Sequence, residues 1–223
     1  MALAVKGQKL PGGNLLGVSD DLRALPLRER KKLRTRRTLA ETALRLFTEH
    51  GYDATTLDDL CDAVEVSKRT FFRNYRSKED VALASDSDLW STYLDHVATL
   101  KLDGPLLAVL RTALDTTLGA MDPDWDRRFL ATRELSDGVP ALQSHSLGYC
   151  HDTTGAIVRT VTERSGADVD GVRLRLTVEI FVAAWHTASL HWTAQGGRGG
   201  RDGLTKLVEE TFAKIPDALT CSA

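Results

Sequence analysis

The stretch 67–74 gathers polar and basic side chains whose types suit the recognition of base edges in DNA. An arginine can donate two parallel hydrogen bonds to guanine, an asparagine can pair with adenine, and a threonine methyl can contact the methyl of thymine. To read DNA, these groups must stand together on the solvent-facing side of one helix. The residues predicted to do so are Ser67, Lys68, Arg69, Thr70, Arg73 and Asn74.

Two short helices joined by a tight turn are predicted to position this group. Thr56 and Asp59 have the spacing of a capping box, which starts the first of the two helices. Ser67 is an N-cap residue that starts the second. Phe71 and Tyr75 are four residues apart, so they share one side of the second helix and are expected to face inward. Preceded by a longer amphipathic helix, these segments have the parts of a helix-turn-helix.

The charge of the chain is unevenly distributed, although its formal net charge is only −2. Residues 1–80 carry 16 Lys and Arg against 12 Asp and Glu, whereas the remaining residues carry 13 against 19. Seven of the ten residues from Arg28 to Arg37 are basic. A positive end joined to a negative body indicates contact with a polyanion. A solvated helix start or a disordered tag would explain the same basic run.

The stretch from Ala43 to Val81, ALRLFTEHGYDATTLDDLCDAVEVSKRTFFRNYRSKEDV, closely resembles the DNA-binding domain of the TetR family of bacterial transcriptional regulators. The matching features are a Phe before the Gly-Tyr that ends the first helix, and the Ala-Thr-Thr entry to the second. The Val-Ser-x-x-Thr opening of the third helix and the Ser-Lys-Glu opening of the fourth also match. The resemblance implies a sequence-specific regulator that binds double-stranded DNA.

The resemblance also implies roles for individual residues. Thr56 looks like a phosphate-binding position at a helix N-terminus, and Lys78 resembles the usual phosphate anchor. The groove-facing places are held by Lys68, Arg69, Thr70 and Arg73. Phe72 stands where a tyrosine is commonest, so a phosphate bond from that hydroxyl would be absent. Asn74 stands where an aromatic residue is common. Its side chain is expected to face either DNA or solvent.

Helical periodicity continues to the C-terminus without a strand, which predicts an all-α protein of about nine helices. The expected domains are a flexible extension at 1–27, a helix-turn-helix domain at 28–80 and a larger helical domain at 81–223. By resemblance, the last domain binds a small molecule and dimerises through its final two helices. Candidate pocket residues are Trp90, Tyr93, Trp125, Phe129, Phe181, Trp185 and His186. Plain core packing is the alternative for each of them.

The segment 172–195 is apolar on more than one side, so it needs a cover on both faces. A second copy of the chain could supply one cover, and with 204–215 it could form a four-helix interface. A homodimer would place two recognition helices about one DNA turn apart, which suits a palindromic operator. We expect a repressor that an unidentified small-molecule effector releases. An activator and a non-catalytic architectural DNA binder are the alternatives.

The sequence does not favour several other classes of protein. It has no GxSxG elbow, no phosphate loop and no HExxH motif, so we expect no enzyme. Its three widely spaced cysteines form neither a disulfide framework nor a metal-ligand pattern, so we expect no metal and no cofactor. No apolar run approaches the roughly 20 residues of a membrane span, and no secretion signal is evident. These features are typical of a cytoplasmic protein.

Overall fold

Eleven helices and no strand make up residues 26–165 and 170–221, the part of the chain that the computed structural model describes. In chain order the helices are α1 (Leu27–His50), α2 (Leu57–Ala63), α3 (Lys68–Asn74), α4 (Lys78–Ala82), α5 (Ala84–Thr99), α6 (Leu106–Ala120), α7 (Trp125–Asp137), α8 (Pro140–Ser165), α9 (Gly171–Ala194), α10 (Gly200–Ala213) and α11 (Ile215–Ala218). The all-α prediction is confirmed. None of these helices is long and apolar enough to cross a membrane.

The structure has more helices in the described ranges than the predicted number of about nine. The fourth helix, which the Ser-Lys-Glu opening predicts to start after Ser77, divides at Leu83, whose φ of −95° and ψ of 23° lie outside the helical region. A short additional helix, α11, follows α10. Pro216 lies in its first turn, where the missing backbone N–H costs no helical hydrogen bond.

The predicted flexible extension, residues 1–27, is described only at its end. Residues 1–25 lie outside the described residues. Leu27 is already the first residue of α1, which Pro26 precedes as the N-cap. Helix α1 therefore begins one residue before the predicted start of the helix-turn-helix domain.

Two clusters of buried apolar side chains hold the helices together. The N-terminal cluster joins α1 to α4 and includes Phe47 and Phe71, while the second cluster fills the body formed by α5 to α10. Leu142, near the start of α8, is fully buried in the N-terminal cluster, whereas Ile157 farther along α8 belongs to the body. Because α8 packs on both clusters, it connects the N-terminal helices to the body. The domain boundary between residues 80 and 81 stays a prediction.

Candidate nucleic-acid interface

A reciprocal set of hydrogen bonds between Thr56 and Asp59 starts α2. The backbone N–H of Asp59 donates to Oγ1 of Thr56 (3.2 Å), and the backbone N–H of Thr56 donates to Oδ2 of Asp59 (2.7 Å). The predicted capping box is therefore confirmed. The Thr56 hydroxyl also donates to Oδ2 of Asp59 (2.7 Å), and these bonds lower the pKa of the Asp59 carboxyl. Both donors of Thr56 are bonded within the chain, so its predicted phosphate contact would have to share or replace these bonds.

The turn between α2 and α3 depends on Glu65, whose φ of 55° is left-handed. The N–H of Glu65 donates to the Asp62 carbonyl (3.1 Å), and the N–H of Val66 donates to the Cys61 carbonyl (2.9 Å). These two bonds form the Schellman arrangement that ends a helix. Val66 packs against the N-terminal cluster and adds an apolar contact to the turn. Glycine is the usual residue at the left-handed position, so Glu65 holds some backbone strain.

Ser67 and Thr70 form the start of α3. The Oγ of Ser67 accepts the backbone N–H of Thr70 (3.2 Å), which confirms the predicted N-cap. The hydroxyl oxygens of the two residues lie 3.1 Å apart. Ser67 is exposed and Thr70 is half-buried. Both hydroxyls therefore lie at the N-terminal end of α3, next to Lys68.

Phe71 and Tyr75, which are 0% and 4% exposed, anchor the inner side of α3. Their predicted inward orientation is confirmed. The Tyr75 hydroxyl donates to the carbonyl of Arg36 on α1 (3.0 Å), and the Arg36 guanidinium lies 4.5 Å from the centre of the Tyr75 ring. Arg36 also donates to the carbonyl of Asn74 (2.8 Å). Apolar burial and hydrogen bonds to backbone carbonyls thus fix α3 to α1.

The outer side of α3 is cationic and exposed. Arg69 and Arg73 are one helical turn apart, and neither forms an ion pair or a side-chain hydrogen bond within the described residues. The ammonium of Lys68 lies 2.8 Å from a carboxylate oxygen of Asp58. Phe72 is 52% exposed. A rigid helix with unpaired cationic side chains on its outer side can contact both phosphates and base edges in a DNA groove.

Asn74 does not belong to the outer side, so the prediction that it faces DNA or solvent is wrong. The residue is only 6% exposed, and its Nδ2 donates to the carbonyl of Thr70 (2.8 Å). Its Oδ1 is buried and has no hydrogen-bond partner within the described residues. The physical reason is helical spacing, because Asn74 follows the buried Phe71 by three residues and so lies on the same side of α3.

The structure directs Lys78, the predicted phosphate anchor, into the protein. Its Nζ donates to the carbonyls of Tyr52 (2.7 Å) and Thr55 (3.0 Å). It also lies 4.0 Å from the centre of the Tyr52 ring, a cation–π contact. Lys78 therefore holds the loop between α1 and α2. Only its third N–H remains for the phosphate contact, which stays a prediction.

The basic run at the start of α1 divides into two groups. Arg36 is turned toward α3 and also lies 3.6 Å from Asp88 on α5, while Arg37 bonds to Glu41 (2.7 Å). Sequence reasoning missed the structural role of Arg36, although the signal was present: Arg36 precedes the buried Leu39 by three residues. The remaining basic side chains of the run are exposed. They are Arg28, Arg30, Lys31, Lys32 and Arg34.

Six of the seven predicted pocket residues pack against one another in the body. They are Trp90, Tyr93, Trp125, Phe129, Phe181 and Trp185. The Tyr93 and Phe181 rings are stacked with centres 5.2 Å apart, and the Trp125 and Phe129 rings are stacked at 4.7 Å. The structure thus places these side chains in the core, which was the alternative stated for them. His186 differs, because it is exposed on α9. A role in ligand binding stays a prediction for all seven.

Two short helices with a buried anchor and an exposed cationic outer side define a helix-turn-helix DNA-binding protein. The family model described as bacterial regulatory proteins, tetR family, matches residues 39–84, and the MftR C-terminal domain model matches residues 104–220. TcmR from Streptomyces glaucescens, an HTH-type transcriptional regulator, is 33% identical over 175 residues, which cover 74% of this chain and 76% of TcmR. The chain therefore belongs to the TetR family and is a transcriptional regulator, which is not a class of enzyme.

A second relative and a solved structure are also similar to this chain. IcaR from Staphylococcus epidermidis, named as a negative transcriptional regulator of a biofilm operon, is 33% identical over 59 residues, 26% of this chain and 32% of IcaR. A solved structure described as a fatty acid metabolism regulator from Clostridium perfringens has a TM-score of 0.50. The two chains are 17% identical, and the match covers 81% of this chain and 97% of the chain in that structure. That similarity shows the fold alone.

Proposed function

We propose that this regulator is a repressor that binds a palindromic operator as a homodimer and is released by a small-molecule effector. The observation that carries the proposal is the outer side of α3. There, Arg69 and Arg73 are exposed without partners, while Phe71 and Tyr75 hold the helix rigidly from behind. A rigid cationic helix can read base edges without losing much side-chain and backbone freedom on binding.

The side chains proposed to contact DNA divide by the contact that each one suits. Arg69 and Arg73 are assigned to base edges because guanidinium groups can bond bidentately to guanine. Lys68, Thr56 and Lys78 are assigned to phosphates, which fix the position of the protein on DNA without reading sequence. Lys68 has to exchange its ion pair with Asp58 for a phosphate, which weakens its net contribution.

Exposed apolar side chains on α9 support the homodimer. Val172 is 70% exposed, Leu176 57% and Leu190 40%, and their spacing places them on one side of the helix. The opposite side of α9 is buried in the body. A second copy packed on this apolar side would give α9 the cover that it lacks within one chain. The segment 204–215 turns its apolar side inward, so its contribution would come from polar residues at the rim.

A buried ion pair in the body supports an effector site. Oδ1 of Asp86 on α5 lies 3.7 Å from Nη1 of Arg133 on α7, and both residues are more than nine-tenths buried. Oδ2 of Asp86 and Nε of Arg133 have no hydrogen-bond partner within the described residues. Burial raises the pKa of Asp86 to about 6, although the charge of Arg133 opposes this rise. Both atoms are sealed from solvent, so polar groups on an effector would bond to them in a conformer that opens the adjoining core.

Repression is the sign we propose because IcaR, which resembles the DNA-binding part of this chain, is named as a negative regulator. Effector binding would shift the population toward a conformer whose two α3 helices are wrongly spaced for the operator. We also propose that the protein lies in the cytoplasm, where a bacterial regulator has access to DNA.

The experiment that tests the proposal is selection of bound duplexes from a random DNA pool, followed by affinity measurements on the recovered sequence. We expect a palindrome. Replacing Arg69 or Arg73 by alanine should cost about 1–3 kcal/mol of binding free energy and relax specificity at one base pair in each half-site. Arg111→Ala, which removes a body arginine paired with Asp115, is the matched control and should bind like the wild type.

Two outcomes would contradict the proposal. Equal loss of affinity for the selected and the random DNA in the Arg69 and Arg73 variants would show that α3 does not read bases. Failure to enrich any sequence would favour the architectural DNA binder. The dimer is tested separately by size-exclusion chromatography with light scattering, where Leu176→Lys should yield monomers and Leu147→Lys, on the exposed side of α8, should not.

A further inference from the structure

The aromatic ring of Phe72 faces solvent from the outer side of α3. Every Phe, Trp and Tyr of the chain lies in the described ranges, and among them Phe72 alone is classed as exposed, at 52%. Aromatic side chains are enriched at binding interfaces, where the burial of a ring contributes much of the affinity. The position of this ring on the molecule therefore bears on what it contacts.

Cationic side chains surround Phe72 on α3. Phe72 follows Lys68 by four residues and Arg69 by three, so it shares one side of the helix with both. Arg73 is the next residue, and all three cationic residues are exposed. The apolar ring therefore lies among the side chains that are proposed to contact phosphates and base edges.

Contacts within the chain do not account for the exposed part of the Phe72 ring. The ring packs edge to face against Phe71, with centres 5.4 Å apart and planes at 89°. No cationic group lies over it within the described residues, whereas the Arg36 guanidinium lies over Tyr75 and the Lys78 ammonium over Tyr52. The contact with the fully buried Phe71 restrains the ring, so little side-chain freedom is lost when the ring binds a partner.

The chemistry of a phenyl ring limits what it can contact on DNA. The ring carries no hydrogen-bond donor or acceptor, so it does not form a conventional hydrogen bond with a phosphate or with the polar edge of a base. In the major groove, the apolar group that base pairs present is the C5 methyl of thymine. Against any other base edge, the ring would displace water from polar atoms without replacing its hydrogen bonds. Thymine is therefore the base that this side chain suits.

We propose that Phe72 is a specificity-determining residue that selects thymine in the operator by packing against its methyl group. This inference rests on the proposed function, because it requires α3 to lie in the major groove. Residues three apart on a helix have Cβ atoms about 5–6 Å apart, and successive base pairs are stacked about 3.4 Å apart. The selected thymine should therefore lie within about two base pairs of the guanine that Arg69 reads.

Replacing thymines of the selected operator by deoxyuridine tests this inference, because deoxyuridine lacks the C5 methyl and keeps every hydrogen-bonding group. Each thymine position is changed in turn, in both half-sites, and binding of the full-length protein is followed by fluorescence anisotropy. For the wild type we expect one sensitive position near the Arg69 guanine. The loss there should be about fourfold in affinity per half-site, the factor that corresponds to about 0.8 kcal/mol for a buried methyl group.

Variants of Phe72 show whether the ring causes that loss. Phe72→Ala should bind the thymine and deoxyuridine operators equally, and it should bind the thymine operator more weakly than the wild type does. Phe72→Leu keeps an apolar side chain and should retain part of the preference for thymine. Leu147→Ala, which removes an exposed apolar side chain from α8 in the body, is the matched control and should keep the full preference.

The outcomes separate this inference from the proposed function. Absence of a sensitive thymine in the wild type, or a sensitivity that Phe72→Ala retains in full, would overturn the inference alone, provided that operator binding still depends on Arg69 and Arg73. Equal loss of affinity for operator and random DNA in Phe72→Ala would place the ring against the sugar–phosphate backbone and would also overturn it. Failure to recover any operator would overturn both.

Discussion

The caps of the short N-terminal helices and the buried charged pairs of the body differ in how far apart their partners lie in the sequence. In the N-terminal helices, Thr56, Ser67 and Ser77 each accept the backbone N–H of the residue three positions later. In the body, buried charged side chains pair across helices or across long stretches of chain. Asp86 pairs with Arg133, and Arg201 donates to the carbonyls of Met121 and Asp122.

The caps form between residues close in sequence, whereas the buried pairs form only when the tertiary fold brings their partners together. Caps and a turn define the ends of α2 and α3. Each of these local interactions contributes a small and independent amount of stability. The buried pairs of the body have lost their hydration, so their contribution depends on both partners and on pH. The N-terminal helices also require an apolar anchor in addition to their caps.

The largest effect is expected from Phe71→Ala. The Phe71 side chain is fully buried, so its removal leaves a cavity and should lower the free energy of unfolding by about 3–5 kcal/mol. Phe72→Ala removes the same side chain from the next position, where it is 52% exposed, and should cost less than about 1 kcal/mol. Urea unfolding followed by circular dichroism measures both. Similar losses in the two variants would show that α3 is not held by its inner side.

The next effect in size is a pH dependence that comes from Asp86 in the body. Burial raises the pKa of Asp86 from 3.8 to about 6. Between these values the folded chain keeps a proton that the unfolded chain releases. The stabilisation is therefore fully present below pH 3.8 and is lost as the pH rises through 6. The loss amounts to about 2–3 kcal/mol for a shift of this size.

The measurement compares urea unfolding of the wild type and Asp86→Asn from pH 4 to pH 7. The variant cannot titrate at this position, so the wild type should lose about 2–3 kcal/mol relative to it over that range. Any constant cost of leaving Arg133 without its charged partner cancels from the comparison of slopes. Asp95→Asn, at an exposed position on the same helix, is the control and should follow the wild type. Parallel profiles for Asp86→Asn and the wild type would remove the contrast between the regions.

The sequence predicts the N-terminal helices better than the body for the same physical reason. The caps at Thr56 and Ser67 and the inward Phe71 and Tyr75 follow from spacings of three or four residues. Asp86 and Arg133 lie 47 positions apart, and no local pattern predicts that they meet. The inward direction of Lys78 was not predictable either, because its acceptors are the carbonyls of Tyr52 and Thr55 in another segment. The dimer and the operator depend on partners outside the chain.

A smaller effect is expected when the capping box of α2 is removed. Thr56→Ala deletes the hydroxyl that accepts the Asp59 N–H, and it should lower the free energy of unfolding by about 1 kcal/mol. Thr56→Ser keeps the hydroxyl and should remain within about 0.5 kcal/mol of the wild type. Thermal unfolding of both variants provides the measurement. A loss in the serine variant as large as in the alanine variant would assign the effect to the methyl group instead of the cap.

The smallest effect, and the only stabilising one, is expected at the turn between the two helices. Glu65 has a φ of 55°, a conformation that glycine adopts without a steric penalty. Glu65→Gly should therefore raise the free energy of unfolding by about 0.5–1 kcal/mol, since relief of strain exceeds the entropy that glycine adds to the unfolded chain. Glu65→Ala removes the same charge but keeps the left-handed strain, so it should give no gain. If alanine stabilised as much as glycine, charge and not backbone geometry would control the turn. The conformation of the N-terminal helices would then depend less on local backbone geometry than the caps indicate.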